Sequence, residues 1–401
     1  MAKLASLFKG QGPLEIILWS AVTGCLLFSL ISISAVQILL GLAIIVWAVL
    51  LILRKRRLEL PSFAWPLAAY IVLSLIASAL SRDPATSFID SRDLLLALVI
   101  PVAMSAFFSS LSLKVGLGAL LASAAASSGY SLVYYVLHAA PGLRVQGFMG
   151  HYMTQAGLLA LFGAAALALV FFLRDKSRWA WGLGFVLCLP ALALTLTRSA
   201  WIGLVAASCF ILLLYKPKAL VIIPVLIGLF FLVGPKNMKQ RALSIFSLRG
   251  FSNAERVEYV KAGLKIIGEN PLHGTGPDTV DKIFQYPQYG LSEDAKRNVH
   301  LHNNIIQIAA ERGLPALAAW LAFLGWALVS LAKLYRRGAP ELRALAVASM
   351  SVMIALFVGG MFEYNFGDSE IACLFYFLLA LPFALYRLNA PREGPGSPRP
   401  R

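Results

Sequence analysis

Ala35–Arg57 reads AVQILLGLAIIVWAVLLILRKRR, an uncharged run from Ala35 to Leu53 closed by four consecutive basic residues, Arg54 to Arg57. A helix that crosses the hydrocarbon core of a bilayer needs about 20 apolar residues. A cluster of Lys and Arg directly beyond such a run marks the cytoplasmic end. The stretch therefore reads as one membrane span with its orientation attached.

The same pattern recurs along the chain. About twelve apolar runs are long enough on this criterion. They lie near 13–32, 35–53, 62–80, 94–111, 115–137, 155–173, 179–197, 199–215, 219–235, 315–333, 342–362 and 369–387. Exits from the even-numbered runs are basic: Arg54–Arg57, Lys114, Arg174 with Lys176 and Arg178, Lys216 with Lys218, and Lys333 with Arg336 and Arg337. Even exits are then cytoplasmic. Both termini are expected in the cytoplasm, including a Pro/Gly-rich tail at 391–401 that reads as disordered. The fold class expected is an all-α polytopic membrane protein. Its parts are nine spans over 1–235, a helical periplasmic loop domain over 236–314, three spans over 315–390, and the tail.

Composition agrees. Of 401 residues, 59% are hydrophobic and 13% charged, against roughly a quarter charged in soluble domains. Mean hydropathy is +0.77. A formal net charge of +16 would suggest nucleic acid in a soluble protein. Here the basic residues sit in short loops beside spans, so no nucleic-acid partner is expected and membrane lipid is the surrounding medium. The first run, near Pro13, is long enough to span and is followed at once by others, so it reads as an anchor rather than a cleaved signal. Cys25, Cys188, Cys209 and Cys373 all fall inside apolar runs and read as small packing residues.

The odd exits face outward. Three are short and polar: Ser81–Asp93, His138–Thr154 and the turn at Thr197–Arg198. One, 236–314, is long and carries charges of both signs. Within it Phe251 opens a helix, with Ser252 and Glu255 at capping-box spacing. Val257, Val260, Leu264 and Ile267 form an apolar helical stripe, with Arg256 beside it. Asn270–Pro277 is a turn-rich connector. It resembles a phosphate-cradling loop only weakly, because no strand precedes it and no lysine follows. His300-Leu301-His302-Asn303-Asn304 starts a second helix, which Gly313 breaks, and Pro315 suits the first turn of the next span.

His302 at a helix start is biased toward neutral imidazole by the positive end of the helix dipole, and a neutral imidazole can accept a proton. The same position suits a solvated cap residue. His273, His300 and His302 lack a Cys or acidic partner at ligand spacing, so no metal is expected. Arg198 stands between two apolar runs with almost no loop, where a charge is costly without a partner or water; it also suits a snorkelling arginine. Arg144, Arg82, Arg92 and Arg256 add guanidiniums on the same face. Arginine forks suit pyrophosphate, which they bind with paired hydrogen bonds, although each of these reads singly as a solvated loop charge.

Taken together, Thr197-Arg198-Ser199, Arg256 upstream of Asn270-Pro271-Leu272-x-Gly274-x-Gly276, Arg144-x-x-Gly147-Phe148, and His302-Asn303 with Gly313 resemble the O-antigen ligase and polymerase superfamily. The resemblance implies about twelve spans, a GT-C-type architecture with a large late periplasmic loop, and metal-independent inverting glycosyl transfer with no cofactor. It implies an inner-membrane ligase with a periplasmic active site. That enzyme moves a glycan from undecaprenyl pyrophosphate to the lipid A–core oligosaccharide. Carried onto matching positions, it makes His302, Arg198 and Arg256 catalytic. Arg144, Arg82, Arg92, Asn303, Gly274 and Gly276 would bind substrate. Two departures stand out. Ligases carry Gly, Thr or Tyr three residues after the motif glycine, where this chain has Ala316. A late acidic residue has only Glu363 and Asp368 as candidates. An O-antigen polymerase or a protein oligosaccharyltransferase would use the same chemistry. A lipid-linked glycan transporter, from another class, would place charges mid-span, whereas these cluster on one face.

Overall fold

A computed structural model describes residues 8, 10–138, 140, 142–245 and 251–389. Among them the chain is all-helical, with no strand. The helices are α1 (Pro13–Phe28), α2 (Ile33–Ile52), α3 (Ala64–Ala79), α4 (Pro84–Asp90), α5 (Val99–Ala106), α6 (Ser110–His138), α7 (Tyr152–Phe172) and α8 (Arg178–Leu194). They continue with α9 (Arg198–Tyr215), α10 (Ile222–Val233), α11 (Lys236–Leu243), α12 (Phe251–Glu269), α13 (Val280–Phe284), α14 (Asn304–Arg337), α15 (Pro340–Gly359) and α16 (Ser369–Asn389).

Each apolar run of the sequence coincides with helix. Seven helices, α2, α6, α7, α9, α14, α15 and α16, are long and apolar enough to cross a membrane. α1, α3, α8 and the stretch Pro217–Val233 are shorter apolar helices. The fourth run is broken: a 3-10 helix, Ser91–Leu98, leads into the short α5. α7, α15 and α16 are mostly buried and form the centre, while α2, α6 and α14 keep apolar faces turned outward. Outward-facing Ile38, Ile45, Trp65, Leu183 and Val186, and the whole of α10, leave a broad apolar surface. A surface of that extent needs lipid as its solvent, which fits a polytopic membrane protein. Cys25, Cys188 and Cys373 are buried and unbridged, as packing residues should be.

Small residues let the central helices touch. A Cβ added at Gly203 of α9 would stand 2.6 Å from the Ala355 carbonyl of α15. With little hydrophobic drive between helices in lipid, close backbone approach and packing hold them together.

The loops sort to two ends. At one end Lys114 meets Asp175 and Glu341, joining the starts of α6 and α15 to the α7–α8 loop. At the other, the segments 80–93, 142–151, 195–197, 236–245, 251–303 and 360–368 converge. The long segment has a core of its own, built from Tyr259, Ala262, Ile266, Val280, Ile283, Phe284, Tyr289 and Leu301 with Ala310.

That core corrects one expectation. Val257, Val260 and Leu264 do not face it; they are exposed, Leu264 at 60%. The buried face of α12 is Tyr259, Ala262 and Ile266, which repeat at the same three- and four-residue steps. The helix has two apolar stripes, and aromatic Tyr259 buries more surface than any valine can. The side chain of Ser252, on which the capping box rests, and the tail at 391–401 fall outside what the structure describes. α14 runs through the expected break with a kink: Gly313 has φ +82°, a conformation glycine adopts without steric cost.

Candidate active site

The turn between α8 and α9 is tight because Leu196 takes a left-handed conformation, φ +53°. Non-glycine residues pay for that geometry, and such positions cluster at functional sites. Its reward is positional. The Leu196 carbonyl accepts from Arg144 Nη2 at 3.4 Å and from Arg241 Nε at 3.1 Å. Arg144 also donates to the Thr195 carbonyl at 3.0 Å and to Thr197 Oγ1 at 3.2 Å, and its guanidinium lies 3.3 Å over the Tyr152 ring.

Arg198, the first residue of α9, is buried. Its Nη1 donates to the Ser244 carbonyl at 2.7 Å and to Ser244 Oγ at 3.0 Å, and its Nη2 donates to Asn253 Oδ1 at 2.9 Å. Arg256 lies one turn along α12 from Asn253 and donates to the same Oδ1 at 3.5 Å. Four guanidiniums from four segments thus gather around one turn, at the positive end of the α9 dipole. Burial, reinforced by Arg241, pushes the Arg144 and Arg256 guanidiniums below their ordinary values, although Glu363 opposes the shift. A bound anion would relieve that crowding.

His302 is the second strained residue, φ +50°. It directly precedes Asn303, the N-cap of α14, whose Oδ1 accepts from the amides of Ile305 and Ile306. Asn303 Nδ2 donates to the Met361 carbonyl at 2.9 Å, and the Asn304 amide donates to the Gly360 carbonyl at 2.7 Å. The helix start is thereby bolted to the 360–368 loop. Across that joint, His302 Nδ1 lies 2.8 Å from Glu363 Oε1. Burial alone would raise the Glu363 carboxyl. The hydrogen bond from His302 and the charge of Arg256 outweigh it and hold the carboxyl below its ordinary value, hence ionised. A carboxylate only accepts, so Nδ1 carries a proton, and in the neutral tautomer the lone pair is on Nε2.

Two cavities meet at His302. One, of about 440 Å³, holds Arg198, Asn253, Arg256 and Lys261 against Ile202, Val257, Val260, Met361 and Phe362. The exposed stripe of α12 is its apolar wall. The other, of about 500 Å³, is lined by Asp93, His151, Tyr152, His300, Glu363, Asp368 and Glu370 among others. Asp368 Oδ2 accepts from Thr154 Oγ1 at 2.6 Å, and burial together with the neighbouring Glu370 pushes its carboxyl up to about 8. Among the described residues no group of three or more His, Cys, Asp or Glu side chains is placed to hold a metal ion.

His302, Arg198 and Arg256 come together, with Arg144 close behind them on the Thr195–Thr197 turn. Asn303 lines the arginine cavity and also caps α14. Arg82 and Arg92 do not join them: both are exposed and line neither cavity, and Arg92 Nε is spent on the Ile89 carbonyl. Gly274 and Gly276 offer no free amide to a phosphate. Their N–H groups donate to the carbonyls of Asn270 and Glu311. Their positive φ values let the connector press against the first turns of α14 and against Ser81. The connector is a splint for the Gly313 kink, where the Leu314 amide donates to the Pro271 carbonyl.

Five contributors carry little signal in the sequence. Arg241 sits in a basic stretch like any solvated charge. Asn253 is one polar residue among many. Asp90 and Glu311 flank Arg312, which bonds them at 2.7 and 2.9 Å and reaches Tyr364 Oη at 3.3 Å. That buried knot ties the 80–93 loop to the residue beside Glu363.

A family model described as O-antigen ligase matches residues 183–321. The matched segment contains Arg198, Asn253, Arg256 and His302 and stops short of Glu363. Over that stretch the chain is similar to the O-antigen ligase family. No curated protein matches the chain.

Proposed function

We propose that the chain is an O-antigen ligase of GT-C type. It crosses the inner membrane about twelve times and moves a glycan from undecaprenyl pyrophosphate to the lipid A–core oligosaccharide at the periplasmic face. The observation that carries this reading is a shared boundary: a cationic, partly apolar cavity and an acidic one both end at His302.

The donor pyrophosphate is held in the first cavity by Arg198 and Arg256, with Lys261 near. Its prenyl chain runs along Val257, Val260, Ile202 and Phe362. The acceptor sugar occupies the second cavity with a hydroxyl at His302 Nε2. As that hydroxyl oxygen bonds to the anomeric carbon, its proton passes to Nε2. The bond from the anomeric carbon to the phosphate oxygen breaks, and its electron pair leaves with the pyrophosphate. Attack opposite the leaving group inverts the centre. Glu363 holds the imidazole by Nδ1–H and stabilises the imidazolium as it forms. The arginines offset the charge growing on the leaving group, so the step needs no metal.

The test combines purified protein, an undecaprenyl-pyrophosphate glycan and lipid A–core. Glycan on lipid A–core supports ligation. Elongated donor with an unmodified acceptor means a polymerase, and neither product in the absence of any gradient leaves transport.

A further inference from the structure

We propose that the acidic cavity selects its acceptor by charge: it takes a hydroxyl-rich sugar with no phosphate or carboxylate on it, and rejects the same sugar when phosphorylated. The inference rests on the reading of this cavity as the acceptor site.

The two cavities that share His302 are segregated by sign. Asp93, Glu363, Asp368 and Glu370 line the acidic one, and among the described residues no lysine or arginine lines it. The other contains Arg198, Arg256 and Lys261 and, among the described residues, no carboxylate. The cations that act on Asp93 are Arg92 and Arg312; neither lines the cavity, and Arg312 is already paired with Asp90 and Glu311.

The carboxyl groups are arranged for hydroxyls. Glu363 Oε2 is buried and has no hydrogen-bond partner among the described residues, while Oε1 is engaged by His302. A buried acceptor without a donor is costly, and a sugar O–H supplies one. Asp368 lies beside Glu370, and burial together with that neighbour pushes the Asp368 carboxyl up, so that wall offers both a donor and acceptors. A neutral polyol satisfies such a wall. A phosphate brings a second set of acceptors and like charge into a cavity lined by Asp93, Glu363, Asp368 and Glu370, where repulsion acts at short range. The segregation also keeps the donor pyrophosphate out of the acceptor side.

The experiment uses the purified full-length protein, one undecaprenyl-pyrophosphate donor, and two acceptor glycolipids. These differ only in whether the terminal hexose carries a phosphate. The phosphorylated acceptor is expected to show at least a tenfold lower kcat/KM. Asp93→Asn and Glu370→Gln, each removing one negative charge, are expected to narrow that ratio. Equal use of the two acceptors by the wild-type protein overturns the proposal, with no variant needed. A ratio that persists unchanged in both variants also overturns it, because the discrimination would then arise elsewhere. Failure of the underlying reading looks different: neither acceptor is glycosylated while the donor is consumed.

Discussion

His302 Nδ1 lies 2.8 Å from Oε1 of Glu363, a residue sixty-one positions further along the chain. The pair joins the first turn of α14 to the loop between α15 and α16. It fixes which imidazole nitrogen faces the cavities. Glu363→Gln preserves shape and an acceptor oxygen but removes the charge that steadies an imidazolium. The expected result is a fall in kcat on the order of 10²-fold with a smaller change in KM for either substrate. Steady-state kinetics on the purified variant measures it, and an unaltered kcat rules out the orienting role.

Asn253 accepts from both Arg198 and Arg256. Asn253→Ala is therefore expected to loosen two phosphate-binding groups at once. The KM for donor rises while the KM for acceptor holds. Arg198→Ala should lower kcat by roughly 10²–10³-fold, the scale for loss of one preorganised donor to a developing anion. Combined with Asn253→Ala the effects should be less than additive, because the two residues act through one contact. Strict additivity would separate them.

Asp368 sets a dependence of stability on pH. Its carboxyl is pushed up to about 8 in the folded protein, against about 3.9 unfolded. A group raised on folding contributes stability that is full below its unfolded value and is lost as pH rises through its folded value. Wild-type protein should therefore lose thermal stability between about pH 4 and pH 8 through this site. Asp368→Asn keeps an oxygen for Thr154 Oγ1 and cannot ionise. The variant should melt higher than wild type at pH 8.5 and lose that advantage at pH 4.5. Parallel melting curves across the whole range would remove Asp368 as the cause.

Gly276 has φ +105°, and a Cβ there would strike Ser81 and Ser87. Gly276→Ala should destabilise the protein by more than the roughly 1–3 kcal/mol of a strained backbone alone and lower the yield of monodisperse protein. Gly142, φ +78° with open space around its Cβ position, is the control. Gly142→Ala carries the strain without the collision and should be milder. Size-exclusion profiles and melting temperatures of the two variants give the comparison.

Much of this architecture is legible in the sequence, because lipid imposes a simple rule. Apolar runs closed by Arg54–Arg57 or Lys216 and Lys218 become helices at the expected places. Arg198 stands out for the same reason: a guanidinium between two apolar runs is costly without a partner or water, although the position also suits a snorkelling arginine. Glu363 is harder, since only the packing of α14 against α15 brings it to His302, and a carboxyl in a loop has no local signature. The α12 stripe shows another limit. Periodicity finds apolar faces, but Val257, Val260 and Leu264 repeat as regularly as Tyr259, Ala262 and Ile266. Only the partner surfaces decide which face is core and which is the wall of a groove. The glycines of 274 and 276 have the composition of a phosphate loop, yet their amides are consumed by α14 and by the connector itself.

The most direct measurement is glycan transfer by purified His302→Ala protein, beside wild type, with undecaprenyl-pyrophosphate glycan and lipid A–core in the presence of a chelator. The wild-type protein is expected to glycosylate lipid A–core. The variant, shown to be folded by an unchanged melting curve, is expected to bind donor and make no product. Transfer at the wild-type rate without the imidazole would contradict the assignment of His302 as the base.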